Sequence, residues 1–153
     1  MTVLNRLNSE NPTERQRFGA DVEVWVRDEL RGKGFDAELI ADWEAPYDLK
    51  IGDLPVEVKG ARLRQRKVRS GYYGPEYRWF VDNLKDEDYL LALVTEDPDG
   101  SRRLFLAPSW AAFGRATITI TSHPDKYTGR LSQYLENFEI VNEIAERRDQ
   151  YTN

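Results

Sequence analysis

Apolar residues recur at every second position through PYDLKIGDLPVEVKG, where Leu49, Ile51, Leu54, Val56 and Val58 are separated by polar partners. That is the period of half-buried strands, and Gly52-Asp53 between the two runs reads as a two-residue hairpin loop, predicting strands over about 47–51 and 54–59. A helical period governs the segment before it. Phe18, Val22, Trp25, Val26 and Leu30 form one stripe, with Asn11-Pro12-Thr13-Glu14 as its start: Asn11 the N-cap, Pro12 at the first helical position and Glu14 at N3. Gly32 and Gly34 mark its end.

A strand is expected near Phe35 to Ala41, and after the hairpin a basic loop leads to a short helical or irregular stretch around Tyr77 to Leu84. Tyr89 to Val94 is a nearly continuous apolar run, as in a strand buried on both faces, and Asp97-Pro98-Asp99-Gly100 turns it towards a partner at Arg103 to Ala107. Ser109 is positioned to cap a brief helix through Phe113. Thr117 to Thr121 alternates as an edge strand would, and Leu131 to Arg148 reads as helix. The expected architecture is one α/β domain over 1–153, an N-terminal helix packed on a central mixed sheet with further helices.

Composition narrows the chemistry. The chain of 153 residues has no Cys and one His, which excludes disulfides and thiolate metal sites. No apolar run approaches the length of a membrane span, and the N-terminus lacks a basic-then-apolar signal pattern, so a cytoplasmic location is expected.

With Gly52-Asp53 as the loop, the hairpin pairs Ile51 with Leu54, Lys50 with Pro55, Leu49 with Val56 and Asp48 with Glu57. Lys50/Pro55 and Asp48/Glu57 then fall at non-hydrogen-bonded positions, where Pro55 owes no N–H and side chains approach most closely. Two facing carboxylates repel and call for a cation. Lys59 supplies one charge on the same face as Glu57, because the two flank Val58, and a divalent metal would supply the rest. Oxygen donors from Asp48 and Glu57 suit Mg²⁺ or Mn²⁺ better than zinc. A metal so held acidifies its water and stabilises charge on a phosphoryl oxygen, while Lys59 orients the water, which is the chemistry of metal-assisted phosphodiester hydrolysis.

The pattern Asp48-x8-Glu57-Val58-Lys59 between two apolar strands resembles the core of the PD-(D/E)XK, or restriction-endonuclease-like, nucleases, with Pro46-Tyr47 ahead of the aspartate in place of an immediate proline. Upstream, Gly19-x3-Glu23-x6-Leu30-x3-Gly34-Phe35 resembles the first helix of the archaeal Holliday-junction-resolvase branch of that family. The likeness covers residues of roughly 13 to 60 and implies a restriction-endonuclease-like fold and a Mg²⁺-dependent deoxyribonuclease. It also implies roles. Asp48 and Glu57 would bind metal with the Val58 carbonyl as a further ligand, Lys59 would position the attacking water, and Glu23 would hold water or a second metal. Glu29, nearer the middle of the apolar stripe, is the rival to Glu23.

Charge is unevenly spread. From 60 to 80, Arg62, Arg64, Arg66, Lys67, Arg69 and Arg78 face one acid, Glu76; from 81 to 100, Lys85 stands against seven acids. The basic stretch also carries Tyr72 and Tyr73, and arginines for phosphates with aromatics for bases form a candidate DNA-binding lip, RNA remaining open. The formal net charge of −5 opposes a general nucleic-acid coat and makes binding local; a homodimer would double the basic surface. The competing reading is a catalytically inactive nucleic-acid-binding or protein-interaction domain of the same fold. His123 reads as a turn or surface residue, and Trp25, Trp43, Trp79 and Trp110 as packing, with Trp79 alone close in sequence to the basic stretch.

Overall fold

A computed structural model describes residues 13–41, 45–67, 71–81 and 87–152 of the chain, so Asn11, Pro12, Trp43, Arg69 and the end of the stretch expected around Tyr77 to Leu84 lie outside the described residues. The first helix, α1 (Glu14–Gly32), begins two residues later than the sequence pattern suggested. Its cap is Thr13, because Gln16 follows at the third helical position and the two close a capping box: the Gln16 N–H donates to Thr13 Oγ1 at 3.1 Å and the Thr13 N–H to Gln16 Oε1 at 2.9 Å. At the other end Gly34 takes φ +91°, and the N–H groups of Phe35 and Gly34 return to the Leu30 and Arg31 carbonyls in a Schellman closure.

Eight strands follow among the described residues: β1 (Ala37–Leu39), β2 (Leu49–Ile51), β3 (Leu54–Arg62), β4 (Arg64–Lys67), β5 (Tyr73–Phe80), β6 (Leu90–Glu96), β7 (Arg102–Pro108) and β8 (Thr117–Ile120). The second helix, α2 (Glu139–Thr152), closes the described chain. Five strands form a mixed sheet in the order β1-β2-β3-β6-β7, in which only β3 and β6 run parallel; β4, β5 and β8 form a second, antiparallel sheet. Three of the four expected β2–β3 pairs form, Leu49 with Val56, Lys50 with Pro55 and Ile51 with Leu54, whereas the expected pairing of Asp48 with Glu57 does not, because the Asp48 side chain turns to the Val58 N–H. Gly52 at φ +58° supplies the positive φ that a primed hairpin turn needs at its first loop position.

Three layers result from where the apolar faces go. On one face of the mixed sheet, Val22, Val26 and Leu30 of α1 and Ile140, Val141 and Ile144 of α2 pack against Leu49, Leu54, Val56, Val58, Ala92 and Val94. The other face presents Ala61, Leu91, Leu93 and Phe105 to Tyr77, Trp79, Ile118 and Ile120 of the second sheet. Strand β6 is buried on both faces, which is why its sequence shows no alternation. Trp79 belongs to this inner core, its indole N–H donating to the Val94 carbonyl at 3.0 Å.

Within the stretch expected as a basic loop, residues 64–67 and 73–76 pair as the antiparallel strands β4 and β5, and residues 77–80 are strand where a helical or irregular stretch was expected. Alternation in β5 buries Tyr77 and Trp79 and turns Arg78 and Phe80 outward, while β4 is exposed throughout. The segment after Ser109 is a short 3₁₀ turn (Ser109–Ala112), in which Ser109 Oγ accepts the Tyr89 N–H rather than capping the turn. Within Leu131 to Arg148 the helix begins only at Glu139, after a 3₁₀ turn (Ser132–Tyr134), and β8 lies at the edge of its sheet.

Candidate active site

Strand β2 pairs with β3 only as far as Leu49 and Val56, and there the two part. The Asp48 N–H still donates to the Val56 carbonyl at 3.1 Å, but at the next position on that edge of β3 the Asp48 side chain replaces strand backbone: Oδ2 accepts the Val58 N–H at 2.9 Å. Asp48 is therefore held against β3 at the residue between Glu57 and Lys59. A residue's N–H and C=O leave a strand on the same side, so the Val58 carbonyl faces the same parting of the strands.

Glu57 and Lys59 leave β3 on the face opposite Val56 and Val58, as the alternation required; their parallel partners Leu91 and Leu93 belong to the inter-sheet core. Glu57 is only 7 % exposed, among Tyr47 and Tyr89, whose rings pack at 5.3 Å. Burial first, and then the Glu57 charge, push the Tyr89 phenol up to about 12. Tyr47 is pushed up further by burial and by its hydrogen bond to Glu87, with Glu57 contributing. Tyr47, Glu87 and Tyr89 were not singled out from the sequence. The only signal was their position just ahead of β2 and β6, beside Asp48, Glu57 and Lys59 once the parallel pairing is known.

Lys59 lines a cleft of about 280 Å³ with Arg15, Gln16, Gly19, Val22 and Phe80. At the cleft wall Gly60 lets α1 come close: a Cβ there would meet the Phe18 ring at 3.0 Å and Val22 Cγ2 at 3.1 Å. Glu23, one turn beyond Gly19 and expected at the border of the apolar stripe, is 1 % exposed, whereas Glu29, expected nearer its middle, is only half-buried. Glu23 lies beside Val22 and Val26 on the side of α1 that packs against the helix-facing sheet surface, whereas Glu57 leaves the other surface. Among the described residues no three Asp, Glu or His side chains are grouped closely enough to hold a metal ion.

The parting of β2 and β3 thus carries the Asp48 carboxylate and the Val58 carbonyl, with Glu57 the residue before Val58 on β3. Anchoring of Asp48 through Oδ2, a near-buried Glu57 and the lack of any thiolate fit a hard divalent cation such as Mg²⁺ or Mn²⁺ better than zinc.

The basic residues are distributed over the second sheet and its margin. Arg62 pairs with Glu14 at 3.0 Å and Glu96 at 3.3 Å and lies over the Phe18 ring, so it ties α1 to the sheet. Arg64, Arg66 and Arg78 converge on Glu76, Lys67 is exposed on β4, and Tyr72 and Tyr73 are exposed at the start of β5. His123 is a surface residue whose Nδ1 lies 3.1 Å from the Tyr77 hydroxyl; that hydroxyl also bonds Asp97.

No family model matches the sequence, and no curated protein matches it. The fold is nonetheless shared with a nuclease of known structure. The chain superposes on a bacterial homing endonuclease, I-Ssp6803I, with a TM-score of 0.62 at 12 % identity, over 90 % of this chain and 99 % of that one.

Proposed function

We propose that the protein is a metal-dependent endonuclease of the PD-(D/E)XK type acting on DNA. The observation that carries this reading is the Asp48 carboxylate fixed on the Val58 N–H, between Glu57 and Lys59, at the point where β2 and β3 diverge. The likeness to a homing endonuclease supports the nuclease class and a DNA substrate. Asp48, Glu57 and the Val58 carbonyl would hold Mg²⁺ or Mn²⁺. Bound there, the metal would supply an activated water and charge stabilisation at the scissile phosphate.

The side chains do the rest. Lys59, in the cleft against α1, orients the attacking water and offsets charge on the phosphoryl oxygens. Tyr47 and Tyr89 hold Glu57 in a largely dry setting, where its interaction with a cation is stronger than in open water. Glu23, buried on the helix-facing side of the sheet, is left out of this assignment. Phe80 joins the cleft to the outer face of the second sheet, along which Arg78, Arg64 and Arg66 receive the backbone that leads to the cut.

Calorimetric titration with Mn²⁺ tests the metal assignment without relying on turnover. Saturable binding by the wild type that disappears in Asp48→Asn supports the site, and equal binding by both proteins rejects it.

A further inference from the structure

Glu76 is the one acid within the basic stretch, and it is buried at 3 % exposure on the outward side of β5. It lies directly across from Arg64 in the β4–β5 ladder. Three guanidiniums cover it: Arg78 Nη2 at 3.2 Å and Arg64 Nη1 at 3.9 Å from Oε1, and Arg66 Nε at 3.7 Å from Oε2. Their side chains remain 62 % (Arg64), 56 % (Arg66) and 40 % (Arg78) exposed. The carboxylate is therefore below, the arginines lie over it, and their outer edges face solvent.

A carboxylate has far fewer acceptor sites than three guanidiniums have N–H donors, so donors are left over for a second anion. Three arginines gathered on a bare surface would repel one another and spend rotamer entropy on any phosphate they bound; a fixed negative charge beneath them offsets both costs. We propose that Glu76 is a positioning residue that organises Arg64, Arg66 and Arg78 into a clamp for the non-bridging oxygens of a nucleic-acid backbone. The clamp rests on the nuclease reading above and adds where and how the backbone is held. Glu76 stays beneath the guanidiniums while phosphate occupies their outer side, so it assists binding although its charge has the wrong sign for it.

That sign makes the test decisive. Affinity for a DNA duplex is measured against salt concentration with the full chain in a metal chelator, for wild type and Glu76→Gln. Glu76→Gln is expected to bind about tenfold more weakly at every salt concentration, with a parallel slope because the cations remain. Simple charge addition predicts the reverse. Duplex is titrated into a fixed concentration of protein, so that a loss of folded protein lowers the bound amplitude and leaves Kd unchanged, which separates misfolding from impaired positioning.

Where Glu76→Gln does not fold, Arg78→Lys serves. It keeps the charge but loses the fork that spans carboxylate and phosphate, and the same weakening is expected. Unchanged or tighter binding by the variant overturns the clamp and leaves the nuclease reading standing. Wild type that binds no duplex overturns the clamp, whereas the nuclease reading falls only if no DNA substrate is cut.

Discussion

The Asp48 carboxylate accepts the backbone N–H of Val58 at 2.9 Å, joining a strand terminus to the residue between Glu57 and Lys59. On the proposed reading Asp48 has two tasks, holding the hairpin end and offering charge to a metal, and one substitution separates them. Asp48→Asn keeps an acceptor for Val58 and removes the charge, so folding should survive while Mg²⁺-dependent cleavage falls by at least about 100-fold. Asp48→Ala removes both and should also lower the urea midpoint. Wild-type cleavage by Asp48→Asn would remove Asp48 from the site.

Gly60→Ala tests the close approach of α1. The new methyl would sit at 3.0–3.1 Å from the side chains of Phe18 and Val22, which must give by a few tenths of an ångström in a packed interface, at a cost of about 1–3 kcal/mol. Because Lys59 precedes Gly60 in the cleft wall, cleavage should fall in the protein that remains folded. Urea denaturation with the specific activity of the folded fraction reads both effects, and an unchanged midpoint would contradict the packing described.

Neutralising Arg64, Arg66 and Arg69 together should flatten the salt dependence of DNA binding by up to about three units of log–log slope, close to one for each phosphate left without its cation. In a mobile loop these arginines would matter little to stability. In the hairpin, Arg64 and Arg66 cover Glu76, and leaving that buried carboxylate with Arg78 alone should cost about 1–3 kcal/mol. Parallel salt plots for mutant and wild type would show that the hairpin does not meet phosphate.

Alkaline pH should weaken the fold in a defined window. Tyr89 is raised from 10.0 to about 12 by burial and the Glu57 charge, so the folded state holds its proton where the unfolded chain has released it. Its contribution is fully present below pH 10 and is lost as pH rises to about 12, and Tyr77, raised by burial and Asp97, extends the loss further. Denaturation midpoints across this range should decline less steeply in Tyr89→Phe; identical curves would mean that Tyr89 ionises as freely in the fold as out of it.

The legible parts of the sequence were those in which local pattern and tertiary role agreed. The β2–β3 register followed from a glycine-led turn with alternation on both sides, and α1 from its apolar stripe. The hydrogen bond from Val58 to Asp48 was not legible, since it depends on where two strands stop pairing. The β4–β5 hairpin was missed because β4 has no buried residue to give a period and Tyr77 and Trp79 are only two inward positions amid charges. Glu76 looked like a minor offset to a basic run. Its burial arises from arginines converging across two strands, a relation that composition cannot carry.

Cleavage of a panel of duplex, single-stranded, flap and four-way-junction DNA by wild type and Lys59→Ala, each with Mg²⁺ and with chelator, tests the central claim most directly. Wild type should cut at least one substrate with Mg²⁺ and none in chelator, and Lys59→Ala should be slower by about 10²–10³-fold while still binding that DNA. Cutting that survives the chelator or is equal in the two proteins, or no cutting of any substrate by wild type, would contradict the assignment of a metal-dependent nuclease centred on Asp48, Glu57 and Lys59.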